Sequence, residues 1–258
     1  MLHLGQVDKA ADAPSFRQIA GQLREAIRRG DLTAGDRLPS ETQLVDHYGV
    51  ARMTVRQALG ELRAEGLVVA EHGRGVFVRN RPPVRRLASD RFARRHRDQG
   101  KAAFLAETEG LGIASVDQVE VQEVTPPPRA KELLALQGRV RVVARSRRYL
   151  LDGLPVELAV SYVPVDIARG TRISEPDPGP GGIYARLEEL GLRLSHFTEE
   201  VSSRMPTPEE RRRLTLSAGT PVLLVLRTAY DISGRAVEVC DTVKAATSYV
   251  LEYSFPAE

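Results

Sequence analysis

Between residues 16 and 78, three apolar stripes at helical spacing run straight into two β-prone segments, and this order leaves few folds open. Phe16, Ile19, Ala20, Leu23 and Ile27 recur on one face of a helix that Gly30 stops. Pro39-Ser40-Glu41-Thr42-Gln43 carries the pattern of a capping box, with Ser40 as N-cap and Gln43 three residues on. It opens a short helix containing Leu44, Val45 and Tyr48 that ends at Gly49. After Tyr48-Gly49-Val50-Ala51, a third stripe of Val55, Ala58, Leu59 and Leu62 runs to Gly66. Leu67-Val68-Val69-Ala70 and Val76-Phe77-Val78 then flank Glu71-His72-Gly73-Arg74-Gly75, which reads as a hairpin. Three short helices with a tight turn between the second and third, followed by a hairpin, predict a winged helix-turn-helix.

The third helix is the informative one. With its stripe on the core, Arg52 and Arg56 lie on the opposite face beside Met53, Thr54 and Gln57, at the end that would enter a major groove. Arginine can bind guanine O6 and N7 with two hydrogen bonds, and threonine or glutamine can reach phosphates or base edges. A solvated helix face also carries arginines. Their place at the leading end of the second helix of this motif, with a wing behind, favours DNA.

The net charge of +3 is small for a nucleic-acid protein, but it is unevenly spread: +1 over residues 1–80, +6 over 81–101 and −4 over 102–258. The basic run of Arg81, Arg85, Arg86, Arg91, Arg94, Arg95, Arg97 and Lys101, opened by Pro82-Pro83, reads as a solvated linker or arm. Beside a DNA-binding unit it would add non-specific phosphate attraction.

Beyond the arm, strand character appears at 116–124, 140–151, 154–163, 197–205, 222–231, 236–243 and 249–255, with helical stretches at 129–136, 183–190 and 208–214. Asp152-Gly153 signals a two-residue hairpin, and Thr207 with Glu210 a second capping box. The chain is therefore expected to be α+β, its second domain lying on a mainly antiparallel sheet. Arg145 and Arg147 share a strand face by period two, and such a guanidinium pair could clamp a phosphate or a carboxylate. Partnership with Glu157 or Glu238 on a solvated face explains them equally well.

Several function classes are disfavoured. The longest apolar stretches, such as 222–226, fall far short of the ~20 residues of a membrane span. The first 13 residues lack an apolar signal core, so a cytoplasmic location is expected. His3, His47, His72, His96 and His196 have no metal-ligand spacing, and neither a metal nor a cofactor is expected. Cys240, the single cysteine, alternates with Val237 and Val239 and reads as a buried structural thiol. Pro178-Gly179-Pro180-Gly181-Gly182 lacks the Lys-Ser/Thr of a phosphate loop and reads as a flexible connection.

Asp36-Arg37-Leu38-Pro39-Ser40-Glu41, the run from Tyr48 to Leu59, Glu65-Gly66-Leu67 and His72-Gly73-Arg74-Gly75-Val76-Phe77-Val78 closely resemble the GntR family of bacterial transcription regulators. The resemblance implies a homodimer on a pseudo-palindromic double-stranded operator. Ser40, Glu41, Thr42, Arg52, Met53, Thr54, Arg56 and Gln57 would lie at the DNA, and His72, Gly73 and Arg74 of the wing in the adjacent minor groove. Two positions depart from the family pattern: Thr42 stands where an arginine is common, and Ala51 where a serine or threonine usually caps the third helix.

Arg145-Ser146-Arg147 through Glu157, followed by Ser161-Tyr162-Val163-Pro164, resembles the UTRA domain of the HutC subfamily, which has a chorismate-lyase-like fold and binds small effectors. The resemblance implies a winged helix-turn-helix over 12–80, an arginine-rich arm over 81–101, and an effector-binding and dimerisation domain over 102–258. Arg145, Arg147, Glu157, Ser161 and Tyr230 are its candidate effector residues, for an anionic ligand such as a sugar phosphate or organic acid. The segment from Asp241 to Tyr249 replaces an Arg-Gly-Asp-Arg type segment often found there, so the effector class is not carried over. The expected function is a DNA-binding repressor modulated by a small effector. An effector-independent regulator of the plasmid-transfer type and a lyase-like enzyme are the alternatives.

Overall fold

The computed structural model describes residues 4–8, 11–71, 73–79, 84–87, 92–216 and 219–255; His72, Arg81, Pro82, Pro83 and Arg91 lie outside them. The chain divides into two compact units, Met1–Pro82 with Leu216–Thr220, and Pro83–Thr215 with Pro221–Glu258.

In the first unit, α1 (Ser15–Arg29), α2 (Glu41–Tyr48) and α3 (Arg52–Ala64) precede a hairpin of β1 (Val68–Glu71) and β2 (Gly75–Val78). Ile19, Leu23, Val55, Ala58, Leu59 and Leu62 meet in one core, so the stripes on α1 and α3 face each other. The Ser40 box forms as expected: the Ser40 hydroxyl accepts from the Gln43 backbone N–H at 3.2 Å, and the Gln43 side-chain Oε1 accepts from the Ser40 N–H at 2.8 Å. Gly49, at φ 60°, ends α2 and lets the chain turn into α3 within three residues. The wing is tied to the body by residues 36–38. Leu38 N–H donates to Val76 at 2.8 Å and Val78 N–H to Asp36 at 2.8 Å, with Arg37 bridging Phe77. At Gly75 the backbone φ of +127° is one that residues with a side chain rarely adopt, and a Cβ there would also stand 2.8 Å from Nε of Arg37, so a substitution at this wing position is strained.

The N-cap of α3 is Ala51, whose backbone (φ −64°, ψ 147°) is that of a cap residue but whose side chain caps nothing. Ala51→Ser is therefore expected to stabilise the first unit by about 0.5–2 kcal/mol, read as a higher denaturation midpoint; an unchanged midpoint would show that the cap geometry is already satisfied.

The second unit is a six-stranded antiparallel sheet in the order β4 (Ala114–Val124), β5 (Val142–Leu151), β6 (Leu154–Pro164), β9 (Ala236–Ala245), β8 (Val222–Asp231), β7 (Leu194–Arg204). On one face Val143, Val163 and Ala229 pack with Ile173 and with Tyr184 and Leu187 of a helix, Gly182–Glu189. On the other, Val142, Val239 and Ala236 meet Ala130 and Leu134 at the helix Pro128–Leu133.

Beside this sheet, β3 (Val84–Leu87) and β10 (Tyr249–Glu252) form a separate parallel pair. β3 falls inside the run expected as a solvated arm. Strand alternation buries Val84 and Arg86 and exposes Arg85 and Leu87. Further on, Arg97 donates to the Phe92 carbonyl at 2.8 Å and pairs with Glu188 at 3.1 Å. A count of charges along the chain cannot see this ion pair, because Glu188 lies 91 residues from Arg97.

The Thr207 box also forms, and Arg204 grips Glu210 with two bonds of 2.7 Å. That ion pair, offset in part by burial and aided by the Thr207 N–H, holds the Glu210 carboxyl down at about 2 against its usual 4.5. Because the folded-state value is depressed, its stabilisation is complete above 4.5 and is lost as the pH falls towards 2. Glu210→Gln is expected to melt below the parent at pH 7 and to match it near pH 2; a gap independent of pH would contradict this.

Candidate nucleic-acid interface and effector site

Because Val55, Ala58, Leu59 and Leu62 are committed to the core, α3 turns Arg52, Met53, Arg56 and Gln57 outward, with Thr54 half-buried beside them. Met53 is 67% exposed among them. The first turn of α2 joins the same surface. Arg56 Nε lies 3.0 Å from Glu41 Oε2, and Arg52 Nη2 donates to Thr42 Oγ1 at 3.3 Å. Glu41, Thr42, Arg52 and Arg56 thus form one cluster. An ion pair this exposed is worth about 0–1 kcal/mol, so Arg56 is readily given up to a stronger acceptor. Ser40 sits at the same corner with its oxygen engaged in the cap. Gly73 (φ +72°) and Arg74 are exposed in the wing turn, the Arg74 guanidinium 5.4 Å from the Phe77 ring centre.

In the second unit, period two puts Arg145, Arg147, Glu157 and Ser161 on one sheet face, as the pattern predicts, but that face is largely buried. Arg145 is consumed by structure: it donates to the carbonyls of Ile173 (2.6 Å), Glu175 and Pro176 (3.0 Å) and holds that loop on the sheet. Burial, reinforced by the neighbouring Arg147 charge, pushes its pKa down to about 10, so it stays protonated at neutral pH. Glu157 is taken by Lys244 and by the Tyr249 hydroxyl at 3.0 Å. Neither acid–base partnership with Arg145 nor a solvated face is found.

Arg147 and Ser161 belong to a different constellation. Arg147 Nε donates to the Tyr149 hydroxyl at 2.7 Å and Nη2 to Ser161 Oγ at 2.9 Å. Ser161 in turn donates to Glu238 Oε1 at 2.7 Å, while the Tyr184 hydroxyl donates to Glu238 Oε2 at 2.8 Å. Arg227 completes the group. Its guanidinium lies over the rings of Phe92 (4.9 Å) and Tyr184 (5.6 Å), and its nearest carboxylate oxygen, on Glu238, is 3.7 Å away. Its side chain is 5% exposed, and its Nε has no hydrogen-bond partner among the described residues. A buried cation so poorly paired is costly unless something else pairs with it.

Tyr230 does not join them. Three residues past Arg227 on β8, its ring is on the opposite face by plain alternation, packed with the Ala236 and Val239 cluster and stacked on His196 at 4.6 Å. Tyr149, Tyr184, Arg227 and Glu238 were not among the expected site residues. For two of them a signal exists: Arg227 ends the apolar run 222–226, and Glu238 stands between Val237 and Val239, so each is a charge inside a buried strand. Tyr184 carries no such mark.

The first unit matches the family model for bacterial regulatory proteins of the gntR family over residues 16–78, and the second matches the UTRA domain over 112–250. An HTH-type transcriptional regulator of Streptomyces coelicolor is 33% identical, covering 95% of this chain and 94% of its own. The histidine utilization repressor of Pseudomonas putida is 29% identical over 86% of this chain and 84% of its own. A crystal structure of a GntR-family transcriptional regulator superposes with a TM-score of 0.59 at 28% identity, covering 96% of this chain and 99% of that one.

Proposed function

The chain belongs to the GntR family of bacterial regulatory proteins and carries the UTRA domain of its HutC subfamily, and from that membership we propose how its two units divide the work of a ligand-controlled transcription regulator. Two copies bind a pseudo-palindromic operator, each laying α3 in a major groove about 34–36 Å from the other. Arg52 and Arg56 meet base edges or phosphates, Thr54 the backbone, and the wing residues His72, Gly73 and Arg74 the adjacent minor groove. Ser40, Glu41, Thr42, Met53 and Gln57 flank that contact.

In the second unit an anionic effector, of the sugar phosphate or organic acid class, lies against Arg147 and Arg227, with Ser161, Tyr184 and Glu238 positioned for its hydroxyl groups. The protein acts as a repressor whose hold on DNA the effector loosens; reciprocity then requires DNA to weaken effector binding by the same factor. The observation that carries this reading is Arg227, a buried guanidinium whose nearest carboxylate oxygen among the described residues is 3.7 Å away and whose Nε has no hydrogen bond among them. Arg145, Glu157 and Tyr230 have structural duties and are left out of the ligand shell.

A thermal-shift screen of sugar phosphates, organic acids and amino-acid derivatives tests it, since a ligand bound only by the folded state raises the melting temperature by an amount set by its concentration over Kd. A hit is expected to lose its effect in Arg227→Gln and to release operator DNA in the parent. A ligand that protects both proteins equally would put the effector site elsewhere.

A further inference from the structure

β3 starts two residues after Pro82, where the first segment of the DNA-binding unit ends, so whatever holds β3 fixes one of the points at which the chain passes between the two units. A four-residue parallel pair is weak by itself; Val84 and Tyr249 pack against Leu151 and Val156 of the large sheet, the Tyr249 hydroxyl meets Glu157, and Arg86 adds a buried ion pair to that sheet. Its guanidinium, 0% exposed, is held by both carboxylate oxygens of Glu199 on β7, Nη1 donating to Oε2 at 2.9 Å and Nη2 to Oε1. Tyr253, one residue past β10, donates its hydroxyl to the same carboxylate at 3.0 Å. Glu199 therefore receives both strands of the pair.

The cross-strand neighbour of Glu199 is Arg227. Two buried guanidiniums thus flank one carboxylate, and the charge of Arg227 works against that of Arg86. Nε of each is without a hydrogen bond among the described residues. We propose that Glu199 is the coupling residue of the effector site: an anion held by Arg227 cancels its repulsion of Arg86, and the grip of Glu199 on β3 tightens. The proposal rests on Arg227 being an anion-binding group. Glu199 touches no ligand in this scheme; it is a positioning residue that acts through Arg86.

Inorganic phosphate, which offers the anion and nothing else, is the probe, with the full-length protein. It is expected to raise the melting temperature of the parent and not of Arg227→Gln. In the parent it should also slow hydrogen exchange at 84–87 and 249–252 by about fivefold or more, the low end of coupling between sites. In Glu199→Gln the thermal shift persists and the slowing disappears. Should that variant fail to fold around its buried arginine, the paired replacement Arg86→Met with Glu199→Met removes both charges together and carries the same expectation. Thermal protection of the parent without slower exchange in the β3–β10 pair overturns the coupling and leaves Arg227 as an anion site. Slowing that survives in the folded variants overturns it as well. Absence of any phosphate effect on the parent overturns the Arg227 reading, and the coupling with it.

Discussion

Arg56→Ala and Arg52→Ala are each expected to abolish specific operator binding while leaving the fold intact. Both side chains are exposed, and their partners in the free protein are Glu41 and Thr42, so their removal costs the folded state little. On DNA the balance differs. A bidentate arginine–guanine pair is worth about 1–3 kcal/mol of discrimination, and in a symmetric dimer it is lost twice. The expected loss is roughly 2–6 kcal/mol, about two to four orders of magnitude in affinity. Titration of a genomically selected operator and of a scrambled duplex, each at two salt concentrations, checks this. Retained affinity and sequence preference would remove α3 from the groove; equal losses on both duplexes would make the arginines phosphate contacts.

The largest effect on stability is expected at Lys244, buried against the carboxylate of Glu157 with its ammonium 4.1 Å from the Tyr249 ring centre. Lys244→Met takes the ammonium from a carboxylate that stays buried, a change that costs about 3–5 kcal/mol. At about 2–4 °C per kcal/mol for a unit of this size, the second unit should melt roughly 6–20 °C lower. The double change Glu157→Leu with Lys244→Met removes both charges and is expected to regain much of the loss. If the single variant melts with the parent, the pair contributes no net stability.

The DNA-facing surface of α3 and the effector site differ in how legible they are in the sequence. Helix period, glycine stops and a capping box are local, and they delimit α1, α2, α3 and the wing almost residue by residue; what remains exposed on α3 follows by subtraction. The effector site depends on pairing between distant strands. Arg145 and Arg147 look equivalent by alternation, yet one is spent on three carbonyls of a loop that alternation cannot place, and the other enters a network through Ser161. Tyr230 shares the face of Leu226 by plain alternation, opposite to that of Arg227, but which face of β8 lies with Arg147 is set only by the pairing of distant strands. Arg86 looked solvated because Glu199, its counter-charge, is 113 residues along the chain.

The pairing of β3 with β10 also orders events during synthesis. Arg85 and Glu252, which ion-pair across it, are 167 residues apart. At about 5–20 residues per second, a ribosome needs roughly 8–33 s to pass from one strand to the other. The three helices and the wing have all their own core residues by Val78 and can fold throughout that interval. A nascent chain therefore carries a finished DNA-reading head on a tether not yet fastened, and control by ligand is the last property the polypeptide acquires.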